Sequence, residues 1–209
     1  MSYAVKEIFY SLQGEGARTG RPAIFVRFAG CNLWSGREED RMGAVCKFCD
    51  TDFVGTNGPG GGRFENAESL ALAAAALWPD KSRAYVVCTG GEPLLQLDEQ
   101  LIDQFHGLDC EVAIETNGTI AVPAGVDWIC VSPKGGSELV QKEGDELKLV
   151  FPQRLASPEL YEDLAFDNFF LQPMAGDNLA HATELAIDYV KKRPKWRLSL
   201  QTHKFLAIP

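Results

Sequence analysis

No apolar run in the 209-residue sequence is long enough to cross a bilayer: the longest, Leu70–Trp78, is about half of the roughly 20 residues that a spanning helix needs. Met1–Tyr10 carries no basic stretch followed by an apolar core, so no secretory leader is read there and a cytoplasmic protein is expected. Positive charge is also short. Twenty Lys and Arg stand against 29 Asp and Glu, a net charge of −9, which leaves no broad basic face to follow a phosphate backbone. Neither nucleic acid nor a membrane is expected as a partner. Missing too are a repeat at a fixed period, a linker between domains and a P-loop, since the glycine-rich Asn57–Gly62 runs into Arg63-Phe64 rather than Gly-Lys-Ser/Thr. That segment is read as a flexible surface loop, and residues 1–209 as one domain.

What is present is an alternation. Short runs rich in Val, Ile and Phe recur at Ala23–Phe28, Ala84–Cys88, Val112–Ile114, Trp128–Val131, Glu146–Phe151, Phe169–Leu171 and Trp196–Leu200, and read as strands. Helical patterns lie between several of them, at Ala67–Trp78, Asp98–Phe105, Pro158–Leu164 and Leu179–Lys192. Parallel strands need long crossovers, so the alternation predicts an α/β fold with a mostly parallel sheet, open or curled into a partial barrel. Asn117–Asp127 and Pro133–Asp145 carry no convincing helix, which makes those crossovers thin. In such folds the carboxyl ends of the strands share one face, where ligands bind. Arg27, Thr89, Glu92, Glu115, Asn117, Ser132, Lys134, Gln172 and His203 all fall at or just after strand ends and are expected on that rim.

The six cysteines divide by position. Cys88, Cys110 and Cys130 lie in or beside apolar strands, where a thiol behaves as a small hydrophobe. Cys31, Cys46 and Cys49 form a C-x14-C-x2-C pattern in the loop after the Ala23–Phe28 strand. Three thiolates leave one coordination position of a zinc ion or an iron–sulfur cubane open unless a distant group fills it. A zinc-binding module with His106, His181 or His203 as fourth ligand is one reading of the trio; an open, reactive cluster is the other.

Cys31, Cys46, Phe48 and Cys49, followed by Gly90-Gly91-Glu92-Pro93, resemble the radical S-adenosylmethionine (SAM) enzymes, in which three cysteines hold a [4Fe–4S] cluster and SAM chelates its fourth iron. The insert 32–45, Leu12-Gln13-Gly14-Glu15, Arg27, Asp50-Thr51-Asp52, Glu115-Thr116-Asn117-Gly118, Ser132-Pro133-Lys134 and Gln201-Thr202-His203-Lys204 narrow the likeness to the 7-carboxy-7-deazaguanine synthase family, from Leu12 to Pro209. The resemblance implies a reduced, incomplete (β/α) barrel and a carbon–nitrogen lyase of queuosine biosynthesis. Such an enzyme contracts the ring of 6-carboxy-5,6,7,8-tetrahydropterin to 7-carboxy-7-deazaguanine, with loss of ammonia. A glycyl-radical activase, which would need an open cleft for a polypeptide, is the nearest rival.

By the same resemblance Phe48, Cys49, Asp50, Gly91, Glu92, Ser132, Pro133, Lys134 and Gln172 bind SAM, with Glu92 accepting from its ammonium group. Leu12, Gln13, Gly14, Glu15, Arg27, Thr89, His203 and Pro209 bind the pterin, the Arg27 fork suiting its carboxylate. Mg2+ is implied on the Thr51 hydroxyl, and the Pro209 carboxylate on the guanidine-like edge of the pterin. An external one-electron donor such as a flavodoxin and a homodimer complete the implied set.

Overall fold

A computed structural model describes residues 2–209. Its sheet opens with a strand that the search for apolar runs passes over. In β1 (Tyr3–Leu12), Lys6, Glu7 and Ser11 interrupt the apolar residues, so no continuous run marks it. β2 (Pro22–Phe28) and β3 (Gly62–Phe64) pair with β1 on either side, both antiparallel. The Ala23–Phe28 strand is therefore the second of the chain.

β4 (Ala84–Gly90), β5 (Cys110–Thr116), β6 (Trp128–Val131), β7 (Glu143–Phe151), β8 (Ala165–Pro173) and β9 (Trp196–Leu198) continue from β2, every pairing parallel. The order is β3-β1-β2-β4-β5-β6-β7-β8-β9, a mixed α/β sheet whose ends do not pair with each other, the incomplete barrel expected. β9 is shorter than its sequence pattern, because the chain leaves the sheet after Leu198 to form α4 (Thr202–Leu206).

α1 (Ala67–Ala75) and α2 (Glu99–Gly107) begin where Asn66 and Asp98 accept the Ser69 and Leu101 backbone N–H groups at 2.8 and 2.9 Å, satisfying donors that a helix start leaves orphaned. They bury Leu70, Leu101 and Phe105 against Ile24, Val86 and Val112 on one face of the sheet. α3 (Leu179–Lys192) covers β7 to β9 through Ala186, Phe169 and Trp196. Tyr85, Val87 and Ala113 alternate to the other, concave face. There Arg18 and Arg21 lie over the Tyr85 ring at 4.9 and 3.9 Å and both pair with Glu111, closing the bottom of the half-barrel.

Two expectations change. Pro158–Leu164 forms only a 3-10 turn over Pro158–Tyr161 that tucks Tyr161 into the core, too short to bury a helical face. Asn57–Gly62 is not a free loop: Gly58 donates to the Lys6 carbonyl at 2.9 Å, Ile8 donates to the Pro59 carbonyl at 2.8 Å, and a Cβ at Gly61 would strike the Lys6 carbonyl. The glycines let this segment lie flat on β1 and lead into β3. The β5–β6 and β6–β7 crossovers carry no helix, as their sequence suggests. Among the described residues no helix is long and apolar enough to cross a membrane.

Candidate active site

The strand ends open onto a cavity of about 350 Å³. Its wall takes Arg27 from β2, Thr89 from β4, Glu115 from β5, Lys148 from β7 and Gln172 from β8, with Ser132 and Lys134 just after β6 and His203 from α4. Leu12 enters from the end of β1, Gln13, Gly14 and Glu15 from the β1–β2 loop, and Cys46, Phe48, Cys49, Asp50 and Thr51 from the loop after β2. Gly91 and Pro209 complete the sequence-read set that the fold brings together. Cys31, Glu92 and Pro133 do not reach the wall.

At one end, the insert builds a clamp for the cysteine loop. Arg41 lies 4.0 Å over the Trp34 ring and donates to the carbonyls of Lys47 and Cys49 at 3.0 and 3.2 Å, while Cys46 donates its backbone N–H to the Leu33 carbonyl. All six cysteines are free. Cys46 and Cys49 share a hydrogen bond, which with burial pushes the Cys46 thiol up. The same bond, helped by the Thr51 N–H and hydroxyl, outweighs burial and lowers the Cys49 thiol below its ordinary value. Cys31 stands half-buried near Cys49 and accepts the Leu33 N–H at 3.4 Å. Among the described residues no three His, Cys, Asp or Glu side chains converge tightly enough to grip a single ion. The zinc reading loses its fourth ligand: His106 bonds Asp127 at 2.9 Å, His181 lies exposed on α3, and His203 stands beside Gly14. Three free thiols, Cys46 bonded to Cys49 and Cys31 near Cys49, fit a cluster larger than one ion.

The glycines after β4 work differently from their sequence reading. A Cβ on Gly91 would strike the Gly30 carbonyl and the Cys31 Cβ, so Gly91 first serves the close approach of β4 to the cysteine loop. Glu92 is 0 % exposed. Its Oε1 accepts from Leu94 N–H at 3.0 Å and the Thr116 hydroxyl at 2.8 Å, its Oε2 from Asn117 N–H at 2.8 Å. Burial raises its carboxyl above the usual range despite those donors. Glu92 thus ties the tip of β4 to the tip of β5. Pro133 is likewise buried, its carbonyl accepting from Gln153 at 3.1 Å, whereas the Lys134 ammonium folds onto the Ser132 carbonyl and hydroxyl at 2.6 and 2.7 Å.

On the opposite wall Arg27 donates through Nε to Glu7 at 2.7 Å, leaving its terminal nitrogens without a partner among the described residues. Gln13 is engaged at both ends: its Nε2 donates to Glu115 at 2.9 Å and its Oε1 accepts from the Glu15 N–H at 3.1 Å. Glu15 accepts from Lys148 at 2.5 Å, Gln201 at 3.0 Å and Gln172 at 3.1 Å. Burial would raise its carboxyl, yet the Lys148 ammonium and these donors hold it below the usual carboxylate range. The roof closes where Thr202 donates to the Gly14 carbonyl at 2.9 Å and Ser11 donates to the Pro209 carbonyl at 2.8 Å. A Cβ on Gly14 would collide with the His203 ring.

Asp50 is taken by Lys204 at 2.5 Å and Asp52 by Lys6 at 2.9 Å, and Thr51 turns its hydroxyl toward Cys49. Sequence reasoning missed Lys148 and Glu7, and named Gln201 only within its motif, without a role. Lys148 carried a signal, a charged residue between leucines in the otherwise apolar Glu146–Phe151 run. Cys130, read as plain core, is buried but borders the cavity and donates to Glu146 at 3.5 Å.

Comparison with known proteins accords with this geometry. The sequence profile of the Radical SAM superfamily matches residues 42–189. The 7-carboxy-7-deazaguanine synthases of Bradyrhizobium diazoefficiens and Bordetella pertussis are 64% and 60% identical to the chain, each pair aligned over 100% of both proteins. That of Bacteroides thetaiotaomicron is 42% identical, again over 100% of both. The crystal structure of QueE from Escherichia coli superposes with a TM-score of 0.72 at 30% identity, covering 97% of this chain and 95% of that one.

Proposed function

We propose, from the premise that this chain belongs to the radical SAM superfamily and within it to the 7-carboxy-7-deazaguanine synthase family, that its cavity contracts 6-carboxy-5,6,7,8-tetrahydropterin to 7-carboxy-7-deazaguanine with loss of ammonia. The observation that carries the reading is one cavity whose wall holds Cys46 and Cys49, with Cys31 close enough to Cys49 for the two to interact, together with an Arg27 guanidinium whose terminal nitrogens have no partner among the described residues. Cys31, Cys46 and Cys49 would hold the [4Fe–4S] cluster, and Ser132, Lys134, Gln172 and the Gly91 backbone would flank SAM. When reduced by an external donor such as a flavodoxin, the bound pair supplies hydrogen-atom abstraction at a carbon that no side-chain base could deprotonate.

The protein's own part is placement and exclusion. The terminal nitrogens of Arg27 match two oxygens of the pterin carboxylate, which fixes the substrate along the cavity axis. Thr89 and His203 border the ring, and Glu15 and Glu115 bring acceptors to an edge that is rich in N–H donors. The roof made by Thr202, Gly14 and Ser11 keeps bulk water from a reactive intermediate. Mg2+ would find one protein ligand here, Thr51, because lysines hold Asp50 and Asp52; the residues do not build a magnesium cage. A single radical SAM domain over 1–209 with an insert at 32–45, and a homodimer, belong to the same reading, the dimer being checked by light scattering.

The test is anaerobic reconstitution followed by iron and sulfide analysis, then turnover with the carboxytetrahydropterin and SAM. Four irons with four labile sulfides and a deazapurine absorbance are expected, both lost in Cys49→Ala. A colourless protein holding one zinc would overturn the reading.

A further inference from the structure

The least expected group at the floor of the cavity is a lysine. Lys148 lies in the middle of β7 with its side chain 5 % exposed, between Leu147 and Leu149, which turn the other way into the core beside α3. Its Nζ is 2.5 Å from Glu15 Oε2 and 3.8 Å from Glu115 Oε2. These carboxylates come from separate parts of the sheet, Glu15 from the β1–β2 loop and Glu115 from the tip of the central strand β5. Each carries further links: Glu115 holds Gln13 at 2.9 Å, and Glu15 holds Gln172 and Gln201 at 3.1 and 3.0 Å. One ammonium therefore sits at the centre of a belt that joins the early loop, β5, β7, β8 and the segment after β9, where no strand pairing closes the sheet.

We infer that Lys148 is a positioning residue for substrate recognition: by bridging Glu15 and Glu115 across the unclosed half-barrel it fixes both carboxylates, and Gln13 with them, as the surface that reads the N–H-rich edge of the pterin. The inference rests on the proposed substrate. One positive charge on two carboxylates leaves a net negative charge facing the cavity, the sign that suits a ligand edge of hydrogen-bond donors. Glu146, Cys130 and Lys134 also face this cluster; Glu146 is bonded to the Ala17 N–H at 2.9 Å and Lys134 to Ser132, so neither can replace Lys148 as the bridge. Burial would lower the Lys148 ammonium, but the surrounding Cys130, Glu115, Glu15 and Glu146 more than reverse this.

Lys148→Met alone would strand two buried carboxylates and lower stability, so it cannot by itself separate scaffolding from positioning. Lys148→Met with Glu15→Gln removes the pair together. Three readouts follow: thermal unfolding, binding of the fluorescent, unreactive probe 6-carboxypterin to the reconstituted protein, and SAM binding to the same protein. The double variant is expected to recover most of the stability lost in the single one and to bind SAM as the parent does. It should bind 6-carboxypterin about tenfold more weakly than Glu15→Gln alone, the control for losing that carboxylate, because Glu115 and Gln13 lose the group that fixes them; equal affinity of the two variants would overturn the inference. Parental probe affinity in a stable double variant would overturn the inference, as would equal weakening for the probe and SAM. Failure of the parent protein itself to bind 6-carboxypterin would instead refute the proposed substrate.

Discussion

Substituting Glu92 distinguishes a tie between strands from a ligand contact. The carboxylate is 0 % exposed and accepts three hydrogen bonds, from Leu94 N–H, the Thr116 hydroxyl and Asn117 N–H. Glu92→Gln keeps the shape but turns one oxygen into an NH2. If that NH2 faces Asn117, two donors oppose each other; if the amide flips, both Oε1 bonds go. At least one buried donor is orphaned in either orientation, a cost of about 2 kcal/mol. For a chain of this length that corresponds to a drop in Tm of roughly 4–8 °C. Glu92→Leu orphans all three donors, about 5 kcal/mol together, which is the lower end of the stability of a whole domain, so that variant is expected to be largely unfolded. Urea unfolding followed by circular dichroism, on protein without cluster or SAM, isolates the effect from ligand binding. A Glu92→Gln protein with the parental midpoint but no SAM binding would refute the argument and return the carboxylate to the cofactor.

Other outcomes follow from the same geometry. Burial by itself would raise the Glu111 carboxyl, but Arg21 and Arg18 outweigh it and lower it from 4.5 to about 2. Between those values the folded protein binds fewer protons than the unfolded chain, so this group's stabilisation is complete above about 4.5 and is lost as pH falls through about 2. The difference in urea midpoint between parent and Glu111→Gln should therefore be smaller at pH 3 than at pH 7, and an unchanged difference would contradict the pairing. Gly14→Ala drives a Cβ into the His203 ring and is expected to weaken 6-carboxypterin binding while leaving the iron content intact. Arg41→Ala removes two bonds to the carbonyls of the cysteine loop, and iron analysis after reconstitution should show substoichiometric cluster.

Much of the site was legible because its chemistry is local in the chain. Cys46, Phe48, Cys49, Asp50 and Thr51 line one stretch of the wall because they are neighbours in sequence, and Arg27, Thr89, Glu115 and Gln172 share a rim because parallel strands end on one side. Less legible was what each group spends its hydrogen bonds on. Glu92 follows two glycines and reads as a ligand group, but only the approach of β5 shows that three donors already claim it. Asp50 and Asp52 flank Thr51, the residue implied for Mg2+, and only the fold shows that Lys204 and Lys6, from distant segments, already hold their oxygens.

The sequence by itself determined the alternation of strand and helix, the position of the cysteine trio and the excess of acid over base, because period, spacing and charge are properties of the chain. Tertiary structure alone decided that β1 and β3 complete the sheet, that the floor of the cavity is a lysine between two carboxylates, and that the roof is made by residues near the two ends of the chain. Those features depend on contacts between residues far apart in the chain, 61 positions for Tyr3 with Phe64, 133 for Glu15 with Lys148 and 198 for Ser11 with Pro209, and no local pattern encodes a partner at that distance.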